Sequence, residues 1–261
     1  MVHRILIVTA VAAEADSVSA GLGLGGPELL PLPGGLVLRR HTDAPGGRVR
    51  VDVLVGGVGP AAVAASTGTA LAYASLTGTE NPRTENPYGE SPYGLVVSAG
   101  IAGGFRPLAP LGSVVVSSAV VAADLGAETP DGYLAVDELG FGRSVHPVPE
   151  ALTGRVAAAL DSGGRPYTVA PVLTVSTVTG TAGRAAELAG RHPGAAAEAM
   201  EGFGVAEAAA AYGVPVVEIR AVSNAVGPRD RAAWRIGEAL DALRHAFELL
   251  SKTVFVELEP S

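Results

Sequence analysis

The feature that most restricts what this chain can fold into is its opening run, Ile5-Leu6-Ile7-Val8, where apolar and largely β-branched residues follow one another without a polar break. A strand with one solvated face alternates. An unbroken run belongs to a strand covered on both faces, as in a parallel sheet between layers of helix. With this first strand near 4–9, further strands are predicted near 36–40, 48–55, 95–98, 113–121, 168–175 and 215–222. Helices are predicted near 13–20, 60–76, 149–161, 182–189, 201–212 and 231–252. This alternation predicts an α/β fold with a mostly parallel sheet. The succession of strands from 36 to 55 predicts that part of the sheet is antiparallel and strongly curved.

The chain has 261 residues, 48% of them apolar, enough for a full core. It reads as one domain over 1–261. Only the segment 78–93, rich in proline and glycine and repeating Thr-Glu-Asn-Pro, stands apart as a polar surface excursion. A net charge of −8 argues against nucleic acid or an anionic membrane as partner. The absence of cysteine excludes disulfides, thiolate catalysis and a cysteine zinc site. The single lysine, Lys252, has no glycine loop before it, which removes a Walker-type phosphate loop. The nine-residue run 5–13 behind a lone Arg4 is short for a secretion signal and reads as a strand. No stretch approaches the ~18 unbroken apolar residues of a membrane span. The expected location is cytoplasmic.

Several motifs fail. Gly57-Val58-Gly59-Pro60-Ala61-Ala62 follows a strand and opens a helix, as a dinucleotide fingerprint does, but the acid that should end a second strand about 20 residues later is missing. A tight turn is the better reading. The five histidines show no metal spacing, and His146 and His192, each directly before a proline, read as turn residues. No G-x-S-x-G elbow is present.

Four segments end predicted strands: Thr9 through Glu14, Ser98 through Gly104, Met200-Glu201 and Ser223-Asn224. Ligands of open α/β sheets bind outside the carboxyl ends of strands, so these four can share one crevice. Singly they are ordinary. Glu14 and Glu201 suit first-turn acids that complement a helix dipole, Gly100-Ile101-Ala102-Gly103-Gly104 suits a turn, and Asn224 suits a strand-to-loop cap.

Together they resemble the purine nucleoside phosphorylase/nucleosidase superfamily, in its nucleosidase branch. The opening strand with Glu14, the segment Val97 to Gly104, Ala199-Met200-Glu201, and Arg220-Ala221-Val222-Ser223-Asn224 match that branch in order over nearly the whole chain. The resemblance implies a three-layer α/β/α sandwich around a central mixed, strongly twisted sheet. It implies a cofactor-free, metal-free hydrolase of the N-glycosidic bond with a small-molecule nucleoside as substrate, working as a homodimer. Glu201 would bind the ribose hydroxyls, and Met200 would pack on the sugar. Glu14 and Arg220 would hold and activate water, the glutamate as general base. Val58 would line the pocket of the 5′ substituent. Thr177, Val178 and Thr179 would flank the base, with Ala102, Gly103 and Ser223 also lining the substrate.

Two departures sharpen this. Phosphorylases of the superfamily carry arginines after the first strand and before the central glycine segment. Here Ala10-Val11-Ala12-Ala13 and Val96-Val97-Ser98 supply no cation for phosphate, so water is the expected nucleophile. Adenine-releasing nucleosidases carry aspartate where this chain has Asn224. A carboxamide NH₂ donates to N7 or O6 of a 6-oxopurine and cannot ionise. Asn224 thus suits an inosine-like nucleoside, and the segment from Ser223 to Arg231, followed by Trp234, resembles a hydrolytic subfamily of this branch. That resemblance implies release of hypoxanthine from a nucleoside with a carboxyaryl ketone at its 5′ end, on a route to menaquinone. Arg106, Arg143, Arg229 and Arg231 are the candidates for its carboxylate. An adenine-specific nucleosidase, a 6-oxopurine phosphorylase and a dinucleotide-dependent oxidoreductase stand as alternatives.

Overall fold

The computed structural model describes residues 3–43, 49–77 and 93–256. The chain begins with β1 (His3–Thr9) and α1 (Ala12–Leu22), then the short strands β2 (Glu28–Pro31) and β3 (Val37–Thr42). Next come β4 (Val49–Val55), α2 (Pro60–Thr77), β5 (Leu95–Gly104) and β6 (Val114–Ala122). A small hairpin, β7 (Gly126–Thr129) and β8 (Gly132–Ala135), precedes β9 (Val145–Pro147), α3 (Glu150–Ser162) and β10 (Tyr167–Thr174). The chain continues through α4 (Ala182–Arg191), β11 (Ala197–Ala199), α5 (Gly202–Ala211), β12 (Val216–Ala225) and α6 (Ile236–Lys252).

One sheet runs in the order β11-β10-β6-β12-β5-β1-β4-β3-β2, with β9 paired to β6. The step from β1 to β4 moves one way across the sheet, and the step from β4 to β5 moves back over β1. Right-handed crossovers then put α1 and α2 on opposite faces. There α1 packs with α6, and α2 with α5. The core strands are closed to water on both sides: Ile5, Leu6, Ile7, Val53, Val96 and Val97 are fully buried. This is the three-layer mixed sheet expected, and β3–β4 is antiparallel as expected, while β2, not predicted from sequence, pairs antiparallel with β3. The far half curls further. The short β11 pairs in parallel with β10 and antiparallel with β5, closing β5, β12, β6, β10 and β11 into a ring.

Several sequence expectations need correction. The glycine segment after 98 is no turn, because β5 continues to Gly104 and pairs with β12 along its length. The last helix starts at Ile236, not 231. Asp230 Oδ1 accepts from the Ala232 N–H and holds a separate turn at Arg231–Ala233. His146 lies in β9, buried against the Phe203 ring, with Nε2 2.7 Å from Glu207 Oε1. Of the excursion at 78–93, residues 78–92 lie outside the described residues. Tyr93 is buried, and its hydroxyl donates to Asp52 Oδ2 at 2.7 Å.

Candidate active site

Because β1, β5 and β12 run parallel, their carboxyl ends gather at one edge. β1 stops at Thr9, and α1 starts three residues later, carrying Glu14 in its first turn. Glu14 Oε2 accepts from the N–H groups of Ala10 (3.0 Å) and Val11 (3.2 Å), satisfying donors that a helix start leaves unpaired. The first-turn reading of Glu14 is thus correct, and it is half the story. Oε1 reaches across the sheet to the Ile101 N–H of β5 at 2.9 Å, so one carboxylate ties two strand ends together.

Gly100 makes that approach possible. A Cβ built there would lie 2.5 Å from Glu14 Oε1 and 2.6 Å from Arg220 Nη1. The bare backbone is the seat on which both side chains rest. Arg220, on β12 opposite Gly100, is 1% exposed. Its Nε donates to Glu218 Oε1 (2.7 Å) and its Nη2 to Ser98 Oγ (3.2 Å), while Nη2 also lies 3.1 Å from Glu201 Oε2. Burial works against the guanidinium's charge, yet Glu218, Glu201 and Glu14 together outweigh it and hold its pKa above the ordinary value. Burial pushes the Glu218 carboxyl up, and Arg220 opposes that.

Glu201 stands just before α5 and is itself nearly buried. Its Oε1 accepts from the Gly59 N–H at 3.3 Å, and its Oε2 from the Met200 N–H at 3.3 Å. Gly59 has φ +93°, where only glycine sits without strain, so the motif resembling a dinucleotide fingerprint serves to aim an amide at Glu201. Val58 in that turn is exposed, and Met200 is half-buried.

A second group surrounds Gly103. Asn224 of β12 and Glu198 of β11 are its register partners on either side. The ladder of β12 slips between Val222 and Asn224, a bulge that re-aims the residues following it. Ser223 Oγ lies 2.9 Å from Asn224 Oδ1 and 3.2 Å from the Ala102 carbonyl, and Asn224 Nδ2 donates to the Ala225 carbonyl at 3.1 Å. The second Nδ2 hydrogen has no protein acceptor among these contacts. Glu198 Oε1 accepts from the Thr179 N–H at 2.8 Å, and its other oxygen takes the Thr179 hydroxyl. Burial raises the Glu198 carboxyl above the usual range despite those two bonds. Thr179 is therefore fixed against the sheet, while Thr177 and Val178 stay exposed.

The structure thus brings Glu14, Glu201 and Arg220 into one network, and Asn224, Ser223, Ala102, Gly103 and Thr179 into a second group four residues further along β12. Glu198 and Glu218 were not singled out from sequence. The signal for Glu218 was present: an acid two places before Arg220, on the same face of an otherwise apolar strand. Between the turn after β4 and α5, Pro60, Phe203, Leu125 and Thr174 line a cavity of about 120 Å³. Of the four arginines considered for a 5′ carboxylate, Arg229 and Arg231 flank Trp234, at 5.5 and 5.7 Å from its ring centre. Arg143 lies 3.7 Å from Glu207, and Arg106 is exposed. No cluster of metal-ligating side chains occurs among the described residues, and no helix among them is long and apolar enough to cross a membrane.

Residues 4–255 match the sequence model of the Phosphorylase superfamily. A futalosine hydrolase of Streptomyces coelicolor is 57% identical over 243 residues, 93% of each chain. A futalosine hydrolase of Acidothermus cellulolyticus is 45% identical over 94% of this chain and 89% of its own. Among solved structures, a mutant futalosine hydrolase of Helicobacter pylori superposes with a TM-score of 0.76 at 16% identity, over 96% of this chain and 99% of the other, which supports the fold. On this evidence the chain belongs to the Phosphorylase superfamily and, within it, to the futalosine hydrolase family.

Proposed function

We propose that the protein hydrolyses the N-glycosidic bond of futalosine, releasing hypoxanthine and leaving dehypoxanthine futalosine, a step of menaquinone biosynthesis. The observation that carries this reading is the joint arrangement of Glu14, Arg220 and Glu201 on the glycine cradle of β5, with Asn224 further along β12. Cleavage passes through a ribosyl cation. The C–N bond breaks with its electron pair leaving on the purine, water adds to the anomeric carbon, and the departing hypoxanthine anion takes a proton from solvent. Glu201 accepts from the ribose 2′- and 3′-hydroxyls, bonds that strengthen as the ring loses electrons. Its two oxygens offer about four acceptor sites and the Gly59, Met200 and Arg220 contacts take three, so one hydroxyl takes the open site and the second replaces one of the two long 3.3 Å backbone bonds. Glu14, oriented by three backbone N–H groups, takes the proton from the attacking water, and Arg220 positions that water.

Electrostatics support water over phosphate. One guanidinium faces three carboxyls, and Glu218 already occupies its Nε. A phosphate dianion entering here would meet more negative charge than positive. The free Nδ2 hydrogen of Asn224 suits the O6 or N7 acceptor of hypoxanthine. Val58, Met200, Ala102, Gly103, Ser223 and the 177–179 loop complete the substrate's surroundings. The reading includes one catalytic domain, needing neither metal nor cofactor, in a cytoplasmic homodimer. The test is purified protein with futalosine in phosphate-free buffer, free base followed by chromatography, and methylthioadenosine as comparison. Hypoxanthine release without phosphate supports the reading. Phosphate-dependent turnover, or preferential adenine release, overturns it.

A further inference from the structure

At the other end of the sheet a cavity of about 440 Å³ is lined by Arg4, Arg40, Arg50, Asp52 and Tyr93. It is remote from the proposed reaction. β1 runs from this cavity at Arg4 to the catalytic edge at Thr9, five steps of about 3.3 Å, or roughly 17 Å. Strand register explains why these side chains meet. Arg4 of β1 stands beside Arg50 of β4, and Arg40 of β3 stands beside Asp52 of β4. Residues 50 and 52 point to the same face because side chains alternate along a strand. Leu30, Leu38 and Ala74 supply an apolar wall.

The charges do not cancel. Arg40 holds Asp52 with both forks, Nε to Oδ1 and Nη2 to Oδ2, each at 2.9 Å. The Tyr93 hydroxyl donates to the same Oδ2 at 2.7 Å, and burial, with Asp52 beside it, keeps that phenol protonated. Asp52, 1% exposed, is therefore fully engaged by one guanidinium and one phenol. Against the three arginines stand Asp52 and, beside Arg40 on the neighbouring strand, the exposed Glu28. Both carboxylates act on Arg40, which leaves Arg4 and Arg50 as the open cations. Neither makes an ion pair among the described residues, and Arg50 Nε is buried with no hydrogen-bond partner. Burial, then repulsion from Arg40 and Arg4, depresses the Arg50 pKa, and the attraction of Asp52 does not make up the loss. The carbonyl end of α2 at Thr77 also lines the cavity, but a helix terminus contributes only about half a negative charge.

We propose that this cavity is a binding site for a small polyvalent oxyanion, a phosphate ester or a polycarboxylate, with Arg4 and Arg50 as its donors and Arg40 held in place by Asp52. Guanidinium forks match both oxyanions, and the volume lies within the usual range for small-molecule sites. On a chain of net charge −8, bulk attraction does not account for such binding. The site is independent of the futalosine reading.

The experiment is thermal unfolding and calorimetric titration of the whole protein with pyrophosphate and, separately, citrate, against sodium chloride at matched ionic strength. A saturable rise in Tm with either anion, absent with chloride, is expected. Binding of pyrophosphate alone assigns a phosphate ester, and binding of citrate alone a carboxylate. Arg50→Ala and Arg4→Ala should each weaken binding about tenfold or more, with hydrolytic turnover in anion-free buffer unchanged. Should Arg50→Ala fail to fold, Arg4→Ala carries the test. Equal stabilisation by chloride, no binding of either probe, or undiminished binding in the folded variants (an adventitious ion only) overturns the proposal.

Discussion

Glu218 and Arg220, two residues apart on β12 and pointing to the same face, form an ion pair of 2.7 Å with side chains 0% and 1% exposed. Removing Glu218 takes away the nearest counter-ion of a buried guanidinium and leaves Glu201, at 3.1 Å, to balance it. Glu218→Ala should cost about 3 kcal/mol of stability, read by urea unfolding. Glu218→Gln keeps an acceptor for Nε and should cost less. In Glu218→Ala the freed guanidinium turns on its seat, and kcat should fall about 10²-fold with KM little changed.

Gly100 is the second structural constraint on that guanidinium. In Gly100→Ala the new methyl displaces Glu14 and Arg220 together, since both stand within 2.6 Å of it. The protein should fold with a loss of about 1–3 kcal/mol, and kcat should drop about 10²-fold or more. Steady-state kinetics beside circular dichroism checks this. Normal turnover would show that the two side chains do not act through this seat.

Glu201→Ala removes the carboxylate proposed to hold the ribose, and Arg220 keeps Glu218 as counter-ion. Turnover should fall about 10²–10³-fold or beyond with the circular dichroism spectrum retained. Near-normal kcat would refute the role given to its carboxylate.

Asn224→Asp changes one atom and reverses one contact. Nδ2 now donates to the Ala225 carbonyl at 3.1 Å, and a carboxylate oxygen there would face another acceptor. Hypoxanthine release should fall about 10–100-fold, and adenine nucleosides should gain relative to it. The ratio of kcat/KM for paired inosine-type and adenosine-type substrates is the measurement.

His41 provides a pH test far from the reaction. Burial lowers its pKa from 6.5, with Arg39 adding to the effect and a bond to the Gly25 carbonyl and the charge of Asp52 opposing it. The unfolded chain therefore takes up this proton first as pH falls. Stability should be complete above 6.5 and decline on acidification through the lower folded-state pKa. The His41 ring resonances should titrate below 6.5 by NMR, and His41→Gln should flatten the acid limb of the unfolding curve.

Local chemistry in the sequence by itself determined the strand and helix alternation, the first-turn position of Glu14 and the motifs that point to a nucleosidase. Each depends on neighbours a few residues apart, through apolar period, helix-start donors and turn residues. Tertiary structure alone decided that Gly100 to Gly104 is strand, that Glu218 anchors Arg220 inside the core, and that Asn224 and Glu198 stand on either side of Gly103. The physical reason is separation along the chain. Glu14 meets the Ile101 amide across 87 residues and Gly59 meets Glu201 across 142, contacts that exist only once the sheet has set its register.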